Sequence, residues 1–230
     1  MERVPYPTMA LSKKMMSFIG GIIMTKKRNS MLNQMCNHRN SYPTYPTDLL
    51  QSWFHSKGQQ LLSGTLSMVD RHGCIRTRTH IIESIDASGN LYIAMNADSF
   101  WMDLSKSQSF ANLSFYNSNT NLQVNIEGKI RIMRVEESVR NFLKQPVGVQ
   151  AYSIVSKYPK PLLSRMEANA KFEWWKQEIE NQRPEVNPDW TLYMIEPHYF
   201  EFIVGSRNEM PECMVYQKID GVWNHQFEWI

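Results

Sequence analysis

Histidine and cysteine are the residues of this chain best suited to metal ligation or nucleophilic chemistry, and their spacing supports neither. The six histidines (His38, His55, His72, His80, His198 and His225) are isolated from one another, and Cys36, Cys74 and Cys213 are scattered and odd in number. A metal centre would need distant residues to converge, so no metal ligand is assigned. The cysteines form no disulfide framework by spacing, and a reducing cytoplasm is the expected setting. Glycine-rich phosphate loops, HExxH, GxSxG and paired CxxC are all absent from the sequence. What remains is strand-like alternation. Arg76 and Arg78 share one face of IRTRTHIIESI, and Gln123 stands between Asn121 and Asn125 on one face of NLQVNIEG; period two alone makes all of these exposed strand positions.

The elements that carry these residues are legible from their periods. Leu49, Leu50, Trp53 and Phe54 recur at helical spacing behind a cap at Thr47 or Asp48. From Leu61 the period shortens: LLSGTLSMV, IRTRTHIIESI and NLYIAMN are joined by two DxxG turns, which predicts an antiparallel meander. Ala97 to Ser109 reads as a turn and short helix, and ANLSFYN and NLQVNIEGKIRIMRV follow as two more strands. Five consecutive strands with short turns predict a closed or nearly closed antiparallel barrel. EESVRNFLKQ ends before Pro146, Leu162 to Asn181 repeats at helical spacing, and the chain returns to strands in WTLYMIE, YFEFIVG, CMVYQKI and VWNHQFEWI. Phe172, Trp174, Trp175, Trp223 and Trp229 are expected in the core or an interface.

The 230 residues suffice for one large domain. Barrel strands come from both ends of the sequence, so residues 47–230 are read as one domain behind a basic, Met-rich extension at 1–46. Residues 1–47 hold seven basic residues against Glu2, a charge of +6, leaving 18 basic and 21 acidic residues in the remainder. A body of net charge −3 argues against a nucleic-acid partner. MMSFIGGIIM is too short to span a bilayer, so no membrane partner is expected.

The run MVDRHGCIRTRTHIIESIDASGNLYIAMNADS resembles the strand, VDxxGxPxxR turn and DxxGxxFxTNxxS run of pyridoxamine 5'-phosphate oxidase and its relatives, the FMN-binding split-barrel proteins. NLQVNIEGKIRIM is similar to that family's RQVRxxG strand, QPVGVQAYSIVS to its RPxxSQ helix, and YQKIDGVWNHQFEWI to its closing hairpin. The resemblance covers roughly Thr47 to Ile230. It implies a mainly β fold with peripheral helices: a six-stranded antiparallel split β-barrel that forms a homodimer, with FMN at the interface and a small-molecule substrate, a vitamin B6 vitamer being the family's own.

Residue by residue, the resemblance implies cofactor contacts at Arg78 (flavin phosphate), Ser99 (phosphate turn), Gln123 (flavin ring), Gln150 and Ser156. It assigns no catalytic residue. Departures are concentrated where a substrate phosphate would be held. The lysine that ends the flavin strand is Glu83, the arginine before the helix proline is Gln145, and the serine after it is Val149. The Arg-Lys pair after Ser99 is Phe100-Trp101, and the R-x-H-D-R motif is Glu209-Met210-Pro211-Glu212-Cys213. Lys106 and Lys157 are near enough in sequence to replace lost cations. The implied function is an FMN-dependent oxidoreductase of the pyridoxamine 5'-phosphate oxidase type with a different substrate. The alternative is a non-catalytic binding protein on the same barrel, or a relative that binds heme or another tetrapyrrole.

Overall fold

The computed structural model describes residues 42–55, 63–70, 72–96, 110–118, 121–156, 161–162, 164–181, 187–205 and 210–228. The N-terminal extension before residue 42 and the helix expected at Ala97 to Ser109 lie outside them, as do Ser99, Phe100, Trp101, Lys106, Lys157, Glu209 and Trp229. The first element, helix α1 (Pro46–His55), begins one residue before the expected cap, with a proline in the first turn, where its missing N–H costs nothing.

Six strands build the barrel: β1 (Ser63–Val69), β2 (Ile75–Ile85), β3 (Leu91–Asn96), β4 (Phe110–Asn117), β5 (Leu122–Ile132) and β6 (Trp190–Val204). Every pairing is antiparallel, in the order β3-β2-β1-β4-β5-β6, and pairing of β3 with β6 closes the ring. Alternation decides what faces inward. Leu66 and Met68, Leu91 and Ile93, Leu113 and Phe115, and Leu122, Val124 and Ile126 are buried, and Tyr193, Ile195, Phe200 and Phe202 complete the core.

The two DxxG turns are built alike. Asp70 Oδ1 accepts from the backbone N–H of His72 and Cys74, and Asp86 Oδ1 accepts from those of Ser88 and Asn90. Gly73 and Gly89 supply the positive φ, 77° and 86°, that closes each turn.

The sequence predicts four strands after Pro188, and the described residues there form three. WTLYMIE and YFEFIV form one continuous strand, β6, followed by β7 (Glu212–Ile219) and β8 (Val222–Glu228). The first half of β6 pairs with β3 and its second half with β7, while β5 runs beside both. Pro197 is tolerated because it lies at a register shift opposite Gly128. A Cβ on Gly128 would sit 2.6 Å from the Glu196 carbonyl oxygen, so the close approach requires glycine.

Three helices fill the long connection between β5 and β6: α2 (Val135–Lys144), α3 (Val147–Val155) and α4 (Arg165–Glu180). Helix α4 contains no buried residue and Trp174 is 52% exposed, so of the two places expected for its aromatics, core or interface, the core of this chain is not the one they take. Trp223 packs partly buried against the core, as expected. No helix among the described residues is long and apolar enough to cross a membrane.

Candidate functional site

Helix α2 presents Ser138, Asn141, Phe142 and Gln145 on one face, at the i, i+3, i+4, i+7 spacing that docks a helix. Phe142 is fully buried and meets Trp190 edge to face at 5.8 Å. The Leu192 N–H donates to Ser138 Oγ, which ties the helix to the start of β6. At the far end of this face, Asn141 Nδ2 and Gln145 Nε2 donate to Glu83 Oε2 at 3.1 and 2.7 Å. Asn141 Oδ1 in turn accepts from Trp190 Nε1 at 2.9 Å and from Gln145 Nε2 at 3.2 Å. Glu83 can turn toward the helix because the β2–β3 register shifts between Ile82 and Ser84.

Gln150 continues this network. It is 6% exposed, its Nε2 donates to the Gln145 carbonyl at 2.8 Å, and its Oε1 is buried with no hydrogen-bond partner. Below it, Ser153 Oγ donates to the Gln150 carbonyl. Asn96 Nδ2 and Asn187 Nδ2 both donate to the Ser153 carbonyl, and so join the ends of β3 and of the β6 approach to α3. Ser156 follows the last turn of α3, its N–H donating to the Tyr152 carbonyl.

Arg78 lies exposed on β2 opposite Leu66. Its neighbour His80 is mostly buried, and burial together with the Arg78 charge lowers the imidazole pKa to about 4. Arg76, on the same face, is committed to Asp70 at 3.2 Å.

Gln123 is elsewhere. It sits between Tyr116 of β4 and Ile203 of β6, its amide 3.4 Å from Asn125 Oδ1. Asn125 Oδ1 also accepts from Ser114 Oγ, and Asn125 Nδ2 donates to Glu201 Oε2 at 2.6 Å. Cys213, at the place of an expected arginine, is buried beside Glu201. Burial first and the Glu201 charge second push its thiol up to about 11. Burial and the same acidic surroundings push Tyr199 up to about 12. This face holds anions where the resemblance led us to expect a guanidinium.

Of the expected site residues, the structure thus joins Gln150 to Glu83 and Gln145 through one hydrogen-bonded network. It does not bring Arg78 and Gln123 together. Arg78, Leu66, Leu113 and Ile126 oppose one another in a row across β2, β1, β4 and β5, and Gln123 is three residues along β5 from that row. Arg78 leaves the sheet on the side of buried Leu66, whereas Gln123 alternates with buried Leu122 and Val124 and leaves on the other side. Asn141 and Trp190 are members of the network that the sequence did not single out. The readable signal was the loss of a lysine at Glu83 and of an arginine at Gln145 in the same chain.

No protein-family model matches the chain. It is 23% identical over 190 residues to a pyridoxine/pyridoxamine 5'-phosphate oxidase of Pseudomonas savastanoi pv. phaseolicola, covering 80% of this chain and 88% of that protein. To the enzyme of the same name from Legionella pneumophila it is 27% identical over 162 residues, covering 70% and 74%. Among solved structures, PhzG from Burkholderia lata, crystallised with tetrahydrophenazine-1-carboxylic acid, has the same fold: TM-score 0.73 at 19% identity, covering 82% of this chain and 94% of that one. The chain has the fold of the pyridoxamine 5'-phosphate oxidase-like split-barrel proteins, and its sequence similarity to the oxidases supports a divergent member of that family. A pyridoxamine 5'-phosphate oxidase-related, FMN-binding protein from Nostoc punctiforme also shares the fold, with a TM-score of 0.64 at 14% identity and coverage of 83% and 99%. Against that family's pattern, Arg78 and Gln123 match in residue type, and Glu83 and Gln145 are the departures that touch each other.

Proposed function

We propose that the chain is an FMN-dependent oxidoreductase, built from two copies, whose substrate is not held by a phosphate group. One observation carries this reading. Arg78 stands exposed where the resemblance places the flavin phosphate, while the two positions that would grip a substrate phosphate, Glu83 and Gln145, are bonded to each other.

The residues present fit FMN in part. The Arg78 guanidinium suits a phosphate monoester, which it can bind through paired N–H donors. The Gln123 amide suits the donor and acceptor edge of the flavin ring, and Gln150 Oε1, buried without a donor, suits an N–H group. Glu83 has no donor to offer flavin carbonyls and is left out of the cofactor set. Ser99 and Ser156 belong to the proposed cofactor set by resemblance alone. Because Arg78 and Gln123 leave opposite faces of one sheet, both can serve one flavin only if it lies between two copies of the chain. Bound FMN would supply the two-electron oxidant, and the protein would supply position and charge. A reducing cytoplasm suits the exposed, free thiol of Cys74.

A second reading is a binding protein on the same barrel without flavin chemistry. It is favoured by the acidic surroundings of Cys213 and by a Glu83 already held by protein donors. Titration of FMN into the purified protein, followed by quenching of flavin fluorescence, separates the two. The oxidoreductase reading expects saturable binding that weakens roughly ten-fold or more in Arg78→Ala, the loss of one charge-assisted phosphate contact. Absence of binding to the unaltered chain selects the second reading.

A further inference from the structure

Glu83 is half-buried, and both of its protein donors, Asn141 Nδ2 and Gln145 Nε2, bond the same carboxylate oxygen, Oε2. Both donors are neutral amides. Among the described residues no cation pairs with Glu83, and Oε1 accepts no hydrogen bond. A carboxylate can accept about four hydrogen bonds, so this one retains acceptor capacity, and its two protein donors bring no positive charge. Trp190 donates to Asn141 in the same network and packs edge to face on Phe142. On the other side of Gln145, Gln150 Oε1 is a second acceptor without a donor.

A half-buried carboxylate met only by neutral amide donors is the reverse of a phosphate site. It repels an anionic ester, and it attracts an ammonium group, which brings three N–H donors and a positive charge. We infer that Glu83 sets the substrate class of this site: a compound carrying a protonated amine that is received by the Glu83 carboxylate, and carrying no phosphate. The inference rests on the reading that this network borders the ligand site. It goes further by assigning the specificity to one residue and the ligand to one charge type.

Four probes separate the contributions: pyridoxamine, pyridoxine and the 5'-phosphate of each, titrated with tryptophan fluorescence and thermal stability as readouts. The titrations are run on the full chain with and without added FMN, so that failure to bind flavin contradicts the proposed function while the probe ratios still decide this inference. The unaltered protein is expected to bind pyridoxamine roughly ten-fold or more tightly than either pyridoxine or pyridoxamine 5'-phosphate, as one charge-assisted contact implies. Glu83→Gln, which keeps the shape and removes the charge, is expected to abolish both ratios. Glu83→Asp is a second variant that keeps the charge and should keep the order of preference. Equal or tighter binding of the phosphate ester, no binding of any probe, or preferences unchanged in Glu83→Gln would each overturn the inference.

Discussion

Gln145 Nε2 lies 2.7 Å from Glu83 Oε2, so a neutral residue at an expected arginine position bonds a carboxylate at an expected lysine position. Two departures from the family pattern are therefore one local solution. Had only the lysine changed, Glu83 would have faced a guanidinium; had only the arginine changed, a lysine would have faced a neutral amide. Restoring both cations with Glu83→Lys and Gln145→Arg should create a phosphate grip. Pyridoxamine 5'-phosphate is expected to bind the double variant at least roughly ten-fold more tightly than the unaltered chain, since hydrogen bonds to charged groups contribute about 1.5–3 kcal/mol each. Calorimetric titration checks it; unchanged affinity would mean that these positions do not border the ligand.

His80 reports on Arg78. Burial, and then the Arg78 charge, hold its pKa at about 4 in the folded chain, below the ordinary histidine value. The folded state therefore favours the neutral ring. That contribution to stability is complete above the unfolded value and is lost as pH falls from there toward 4, where the unfolded chain binds the proton first. A phosphate on Arg78 would offset the second cause, so the His80 pKa should rise when FMN is added. NMR titration of the histidine ring signals measures it directly, and a value unmoved by saturating FMN would contradict the phosphate contact at Arg78.

Much of the barrel was readable because its strands alternate and its turns carry their own chemistry: Asp70 and Gly73, then Asp86 and Gly89, mark two hairpins without tertiary information. Continuity of β6 was not readable. Pro197 looks like a break in sequence, and only the register shift beside it, where β6 carries the extra residue His198 opposite Glu127 and Gly128, shows why the ladder passes through it. Helical spacing in α4 likewise predicts an apolar stripe but not whether anything covers it, and Trp174 stays largely exposed. At the candidate site, the family resemblance singled out Arg78 as a match and Glu83 as a departure. The meeting of Glu83 with Asn141 and Gln145 joins residues 58 and 62 positions apart and needed the fold.

The Asp86 turn is expected to be a measurable part of stability. Its carboxylate accepts from the Ser88 and Asn90 N–H groups, from Asn90 Nδ2 and from the Tyr92 hydroxyl. Burial opposes ionisation, but these bonds outweigh it and hold the pKa below the usual carboxylate range. Its contribution is therefore present above the unfolded value and is lost as pH falls through the lowered folded one. Asp86→Ala should lower stability by about 1–3 kcal/mol, the cost of leaving such donors without their acceptor. Denaturant unfolding at neutral and acid pH checks it: the deficit should shrink in acid, and a constant deficit would contradict the assignment.

Gly128 tests the bend in β6. An added methyl would meet the Glu196 carbonyl oxygen at 2.6 Å and Ile195 Cγ2 at 2.8 Å. Backbone cannot move aside as a flexible side chain does, so Gly128→Ala should destabilise the chain by about 1–3 kcal/mol. Thermal unfolding that leaves the melting temperature unchanged would show that β5 and β6 approach less closely than described.

A flavin site shared by two copies requires that cofactor and dimer occur together. Flavin stoichiometry measured together with molar mass, by absorbance and light scattering on the FMN-saturated protein as it leaves a sizing column, tests it most directly. The expected result is a dimer that retains one FMN per chain. A monomer, or a colourless protein that emerges free of flavin, would contradict it.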